Sequence, residues 1–415
     1  MAVADLLRDL LGDDLPVAFE LYDGSRLGPE GAPATIVVKS PDALRRIVTA
    51  PGELGFGRAY VAGDIELQGD IYDALELRSH LPNIKISPRQ WVSALRLVGV
   101  NGIRPIAPPP EEARLRGRRH TKERDAAAVA HHYDVSNEFY RMVLGPSMTY
   151  SCAVWHDDTK SLEDAQADKY ELICRKLDLQ PGMRLLDIGC GWGGMLLHAA
   201  QHHGVRAVGV TLSKRQADLA AKRVVDAGLA DRVEARYQDY RDIDDGPYDA
   251  ISSIGMFEHV GLSQLAVYFE RCFELLPPGG RLLNHAISRP AGPRGSKPAS
   301  RFTRRSFIDK YVFPDGELLE VGSVVTALQQ EGFEARHMES IREHYALTLR
   351  RWVANLEENW DACVAEAGAP RARIWRLYMA ASAVNFEDNN NQVHQVLAVK
   401  PDGDRSGMPL RPVFE

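Results

Sequence analysis

Apolar and polar positions along the first hundred residues fall into short blocks. Residues 1–16 (MAVADLLRDLLGDDLP) carry apolar side chains at helical spacing as far as Gly12, which predicts a short amphipathic helix. Acidic residues inside that pattern and the lack of a cleavage site argue against a secretory signal. Residues 17–22 (VAFELY) alternate with period two, Asp23-Gly24-Ser25 has turn chemistry, and 34–38 (ATIVV) reads as a strand. Residues 41–48 open a helix with Pro and Asp in its first turn. In 55–70 (GFGRAYVAGDIELQGD) the glycines lie at turn spacing, predicting short strands, and a helix follows from Ile71. The pattern is that of a small α+β domain over 1–110.

From Pro105 the pattern breaks. Three consecutive prolines, 108–110, make a stiff extended spacer, and the charged run after them suggests a basic linker over 111–125. Beyond Ala126 apolar strands alternate with amphipathic helices: a strand at 184–188, a helix at 194–203, a strand at 206–210, a helix at 214–227, strands at 233–237 and 248–253, a helix at 263–276 and a strand at 281–287. That rhythm predicts a doubly wound α/β domain with a parallel sheet over 126–415.

The chain of 415 residues carries a formal net charge of −7, which excludes a general nucleic-acid binder because affinity for a polyanion rests on Lys and Arg. The charge is uneven. RLRGRRHTK (114–122) and a second stretch holding Arg294, Lys297, Arg301, Arg304 and Arg305 are strongly basic. Such runs are commonly solvated faces; the sharper alternative is contact with an anionic membrane surface. No apolar run approaches the roughly 18 residues needed to span a bilayer. Five cysteines, at 152, 174, 190, 272 and 363, form no CxxC pair, so their spacing indicates neither a zinc site nor a disulfide framework and fits a reducing cytoplasm.

The most specific segment is MRLLDIGCGWGGMLLHAA (183–200). An apolar strand ends in Asp187, and Gly189, Gly191, Gly193 and Gly194 turn the backbone into a helix. A strand-to-helix loop without side chains lets a ligand approach the backbone, in the crevice where open α/β sheets bind cofactors. A tight turn or a dinucleotide site are the alternatives. Against the dinucleotide, the spacing is GxGxGG, and the second strand closes in Gly209-Val210-Thr211-Leu212-Ser213 with no acidic residue.

LDIGCGWGG, GVTLSKRQ, YQDYRD and SIGMFEHVG, in this order, resemble the motifs of the cyclopropane fatty acid synthase family of S-adenosylmethionine methyltransferases. Upstream, HHYDVSNEFYRMVLGPSMTYSCAVW is similar to the family's opening segment; downstream, NHAIS, KYVFPDGEL, HYALTLRRW and NQVHQVLAVKP continue the resemblance over about 125–400. It implies a Rossmann-like class I methyltransferase domain. The smaller N-terminal α+β domain resembles the family's lipid-handling module only in place and size. Residues 389–391, all Asn, stand where the family has a Gly and a more mixed segment, and they read as a turn because Asn tolerates left-handed geometry.

By this resemblance S-adenosylmethionine is held by Tyr150 and Ser151, by Asp187, Gly189 and Gly191, by Thr211, Leu212 and Gln216, and at the adenine end by Gln238, Asp239 and Tyr240. Tyr150 and Trp155 are aromatic faces suited to a sulfonium. The implied substrate is the cis double bond of an unsaturated phospholipid. An alkene has no proton to lose before it attacks, so no activated Ser, Cys or Lys is required. Methyl transfer leaves a carbocation, and ring closure then needs a base. The family places bicarbonate there, caged by Cys152, Glu258, His285, the backbone of Ile287, and Tyr345. Taken singly, Cys152 reads as a small core residue, His285 as a satisfied buried histidine, Glu258 as a helix cap and Tyr345 as ordinary packing. His259 belongs to the motif without an assigned role.

Phe139, Tyr140, Met142, Val143 and Leu144 form an apolar cluster that serves either an acyl tunnel or the core. Three readings follow: a cyclopropane synthase, an enzyme that makes a methylene branch on the same substrate for a separate reductase, and a non-catalytic lipid-binding protein. The first two place the chain in the cytoplasm, peripheral at the inner membrane face, and a homodimer would add avidity there. Neutralising Arg301, Arg304 and Arg305 is expected to weaken sedimentation with anionic vesicles. Unchanged sedimentation would exclude that stretch as the membrane contact.

Overall fold

The computed structural model describes residues 2–80, 104–113, 119, 121–133, 135–157, 160–292 and 306–414. The basic residues at 114–118, the stretch 293–305 with Arg294, Lys297, Arg301, Arg304 and Arg305, and Phe302 lie outside them. No described helix is long and apolar enough to cross a membrane.

The chain divides into two compact units. The first comprises Met1–Ala113, Arg304–Val312 and Trp360–Val384, so it takes in two segments that the sequence partition assigned to 126–415. Its sheet runs β2-β1-β3-β4, with β1 Ala18–Leu21, β2 Arg26–Leu27, β3 Ala34–Val38 and β4 Ile65–Gly69. β1 and β3 are parallel and the other pairs antiparallel. Helices Val3–Leu11, Pro41–Thr49 and Ile71–His80 lie where the periodicity predicts them.

Of the short strands expected over 55–70 the second forms, as β4, but the first does not; Glu53–Ala62 is a helix. The glycine that suggested a turn serves close packing instead. A Cβ on Gly57 would stand 2.3 Å from the ring of Phe307. The Phe307 amide donates to Glu53 Oε1 at 3.1 Å, and Glu112 takes a paired bond from Arg58 at 2.8 Å for each nitrogen. These contacts bind the late segment 306–312 into the first unit, which is why a contiguous partition does not describe it.

The second unit holds a seven-stranded sheet in the order β10-β11-β9-β8-β5-β6-β7. Its strands are β5 Arg184–Ile188, β6 Arg206–Thr211, β7 Val233–Tyr237, β8 Ala250–Ile254, β9 Arg281–Ser288, β10 Glu334–Ser340 and β11 Gln392–Val399. β9, β8, β5, β6 and β7 pair in parallel, and β11 runs antiparallel to both of its neighbours. This is the expected Rossmann-like α/β architecture, with apolar packing on both faces. Leu185 and Leu283 join one cluster with the Leu162–Leu177 and Gly194–His203 helices; Leu186 and Leu282 join the other with the Leu265–Leu275 helix. Asn389 has φ 58°, and the amides of Asn390 and Asn391 both donate to the Asn385 carbonyl, so the run of asparagines forms the predicted turn. Phe139, Tyr140, Val143 and Leu144 are fully buried, with Tyr140 against Trp192 at 4.8 Å; they pack as core.

Candidate active site

β5 and β6 end beside one another, and their following loops open a cleft. At the end of β5 the Gly189 and Cys190 amides both donate to the Val210 carbonyl of β6, holding the glycine loop over the strand ends. Gly189 has φ +83°, and a Cβ there would stand 2.7 Å from Met256 Cβ. Asp187 is buried, accepts from Ser252 Oγ at 2.6 Å, and burial pushes its carboxyl up to about 6. At the end of β6, Thr211 Oγ1 donates to Gln216 Oε1 at 2.8 Å, and Ser213 caps the Lys214–Asp226 helix that carries Gln216.

Tyr150, Ser151, Asp187, Gly189, Gly191, Thr211, Leu212, Gln216, Gln238 and Tyr240 all line this one cleft. Asp239 does not. Its carboxylate is taken by Arg241, at 2.8 Å and 2.6 Å, and caps the turn at Tyr240–Asp242. Trp155 is likewise outside the lining; its indole donates to Thr348 Oγ1. His259 lines the cleft and is kept neutral by burial, which lowers its pKa to about 4.

Sequence reading missed Lys169. Its ammonium is buried in the cleft wall, donates to Ser151 Oγ at 2.9 Å, and lies 3.9 Å above the Tyr170 ring. Burial lowers its pKa to about 7, against the opposing pull of Cys152 and Asp187. Gln166, one turn earlier, donates to the Ser151 carbonyl at 2.9 Å. A signal was present: both polar residues fall in phase with Leu162, Ile173 and Leu177, on the apolar face of their helix. A buried polar residue at a core position of an amphipathic helix needs a partner.

The five remaining residues, Cys152, Glu258, His285, Ile287 and Tyr345, are not among those lining the cleft. Glu258 is not a helix cap: it lies within the turn Phe257–His259, and its Oε1 accepts from the Ile287 amide at 2.6 Å. Its Oε2 is buried with no hydrogen-bond partner among the described residues, and burial pushes the carboxyl up to about 7. His285 lies two residues before Ile287 on β9, with Gln395 paired beside it on β11. Lys176 donates to Gln395 Oε1 at 2.7 Å, which turns the Gln395 amide nitrogen toward His285 Nδ1 at 3.3 Å. Nδ1 therefore accepts, Nε2 carries the proton, and burial holds the ring neutral. Cys152 Sγ faces the carbonyls of Ala153 and Ile341 at 3.2 and 3.6 Å, and burial drives its thiol pKa well up, so it is no nucleophile. Ile341 in turn donates to Val393, the partner of Ile287 across β9 and β11. Tyr345, one turn into the Arg342–Glu358 helix, packs on Phe386 at 4.7 Å and Trp352 at 6.0 Å.

The model of the mycolic acid cyclopropane synthetase family matches residues 120–396. The chain belongs to this family. A probable fatty acid methyltransferase of Mycobacterium tuberculosis is 50% identical over 413 residues, covering 96% of this chain and 95% of the relative. The cyclopropane-fatty-acyl-phospholipid synthase of Escherichia coli K12 is 34% identical over 383 residues, 92% of each chain. A solved mycolic acid cyclopropane synthase, complexed with SAH and CTAB, is 33% identical with a TM-score of 0.61, over 66% of this chain and 97% of that one.

As a member of the mycolic acid cyclopropane synthetase family the protein is an S-adenosylmethionine-dependent methyltransferase acting on fatty acids or lipids. Within that family frame Lys169 is expected to position Ser151 at the cofactor. Lys169→Met is expected to weaken S-adenosylmethionine binding about tenfold, the scale of one lost charge-assisted bond. Calorimetric titration measures it, and unchanged affinity would make Lys169 a packing residue.

Proposed function

We propose that this protein transfers the methyl carbon of S-adenosylmethionine to the cis double bond of an unsaturated phospholipid acyl chain and closes a cyclopropane ring. The observation that carries this reading is the Glu258 carboxyl. One oxygen is anchored by the Ile287 amide, the other is buried and unpartnered among the described residues, and the group titrates near 7. Such a group suits proton removal from a substrate that needs no nucleophilic side chain.

S-adenosylmethionine, when bound, supplies an electrophilic methyl group on a sulfonium. The glycine loop, Thr211, Leu212 and Gln216 offer the cleft for it, and the aromatic ring of Tyr150 is held on Trp352 at 5.3 Å. Glu258 Oε2 is the atom to receive the proton that leaves on ring closure. Neutral His285 adds no positive charge that would oppose a developing cation.

The family resemblance also implies a bound bicarbonate. The His285 Nε2–H is the buried donor that would hold an oxyanion here, whereas the Glu258 carboxylate oxygen offers it no hydrogen. The Ile287 amide, which the family resemblance assigns to the anion, is engaged by Glu258 here. When bound, bicarbonate would supply a negative charge that stabilises the developing cation. A peripheral position at an anionic membrane surface completes the proposal, because the substrate resides there.

The test is incubation of purified protein with S-adenosylmethionine and vesicles of a cis-monounsaturated phospholipid, followed by proton NMR of the released fatty acids. Upfield ring protons support the proposal. Downfield vinylidene protons replace it with methylene branching on the same substrate. No product from protein that binds the cofactor overturns both.

A further inference from the structure

On the far side of the helices that frame the cleft, the structure assembles a cluster that the methyl-transfer chemistry does not use. Glu171 and Cys174 lie one turn apart on the Leu162–Leu177 helix; His198 and His203 come from the last two turns of Gly194–His203. Cys174 Sγ, a ring nitrogen of His198 and one of His203 all lie within 4.8 Å of one another. Glu171 Oε2 reaches both rings, at 2.9 Å from His203 Nε2 and 3.4 Å from His198 Nε2. Arg175 donates to Oε1 of the same carboxylate at 2.8 Å, so Oε2 is left aimed at the histidines.

We propose that Glu171, Cys174, His198 and His203 form a tetrahedral site for a zinc-class divalent cation. Metal–nitrogen, –oxygen and –sulfur bonds of about 2.0–2.3 Å put tetrahedral ligand atoms roughly 3.3–3.6 Å apart, and the recorded separations need only small rotamer shifts to reach that. One thiol, one carboxylate and two imidazoles are the donor set of a borderline-soft cation rather than of calcium or magnesium. The charges balance too. A thiolate and a carboxylate neutralise the two positive charges, so the four ligands and the metal together carry no net charge. Burial already keeps His198 neutral, lowering it to about 4, and holds the Cys174 thiol protonated. Binding transfers the Cys174 proton to solvent as the thiolate bonds the metal, so affinity rises with pH. The negative end of the Gly194–His203 helix dipole also favours a cation at its last turn.

The site's position gives it a structural purpose. The Gly194–His203 helix begins at the cofactor loop, and the Leu162–Leu177 helix carries Lys169 and Tyr170 in the cleft wall. A cation at their opposite ends would pin the two helices together and hold the loop in place without touching the cofactor.

Full-length protein, stripped with chelator, is titrated with Co²⁺ and then Zn²⁺. The expected result is one equivalent of Co²⁺ with a sulfur-to-cobalt charge-transfer band in the near ultraviolet, displaced by Zn²⁺, and a higher unfolding temperature in Zn²⁺. Cys174→Ser loses the band, and His203→Gln weakens binding by about 100-fold or more. His203 is partly exposed at the helix end, so its substitution leaves the fold intact even where Cys174→Ser does not. His202, which is exposed and stacks on His198 at 4.5 Å, serves as control: His202→Ala retains the band. Co²⁺ uptake without the sulfur band, or affinity unchanged in His203→Gln, would show surface histidine binding and overturn the proposal.

Discussion

Glu258→Gln is expected to lower turnover by about 10²–10⁴-fold, the usual worth of a positioned base, while the affinity for S-adenosylmethionine stays close to that of the parent. The substitution keeps the shape and leaves an oxygen to accept from Ile287, so the turn at Phe257–His259 is preserved. What it removes is the proton-accepting Oε2. Because burial raises this carboxyl from 4.5 to about 7, the parent's turnover should fall as pH drops through about 7, when the acceptor becomes protonated. The residual activity of Glu258→Gln should lack that acid limb. A parent profile flat through neutrality, or a variant with parental turnover, would remove Glu258 from the chemistry.

The same shift makes a separate statement about stability. A raised carboxyl means that the folded protein keeps a proton the unfolded chain has lost. The group's favourable contribution is therefore complete below pH 4.5 and is lost as pH rises through about 7. Above that range the buried carboxylate costs roughly 3 kcal/mol relative to its protonated form. Glu258→Gln cannot ionise, so the stability of the variant relative to the parent should increase across that window. Urea unfolding at both ends of the range measures it; a pH-independent difference would mean that the Glu258 carboxyl has the same pKa in the folded and unfolded chain.

Gly189→Val is expected to weaken S-adenosylmethionine binding by about 100-fold or more, the scale of displacing a bound group by about an ångström. Two costs coincide. At φ +83° a β-branched residue occupies a conformation that L side chains avoid, and its Cβ would meet Met256 Cβ at 2.7 Å. Met256 closes the turn carrying Glu258, through its carbonyl and the His259 amide. Relief of the clash must therefore move either the cofactor loop or the proton acceptor. Calorimetric titration with the cofactor, paired with thermal unfolding to confirm the fold, gives the result. Parental affinity in a folded variant would show that the loop does not contact the cofactor.

Much of the second unit was legible in advance because most of its parallel strands are apolar runs flanked by Gly, Pro or Asp. β5 and β7 fall on the predicted residues, and β6, β8 and β9 within two. The cofactor cleft was legible for a related reason: Asp187, Gly189, Gly191, Thr211, Leu212 and Gln216 follow directly on strand ends, where backbone geometry alone brings them together. The Glu53–Ala62 helix was misread because Gly57 was treated as a turn signal, whereas it admits the Phe307 ring from a segment far along the chain. The pairing of Asp239 with Arg241 was not legible, because a motif position does not reveal which side chain two residues on takes its carboxylate.

By itself the sequence determined the α/β class, the five parallel strands of the sheet to within two residues, and the strand ends at which the cleft opens. Those properties are periodic and local, and each is set within a few residues of backbone. Only the tertiary structure decided which polar side chains meet. Glu258 is joined to Ile287 across 29 residues, and Gln395 to His285 across 110. Ser151 meets Lys169, and Glu171 meets His203, only because helices are laid against the sheet. Contacts of this kind leave no period in the chain, and burial, which moves Glu258 and Lys169 toward neutrality, exists only once the core has closed.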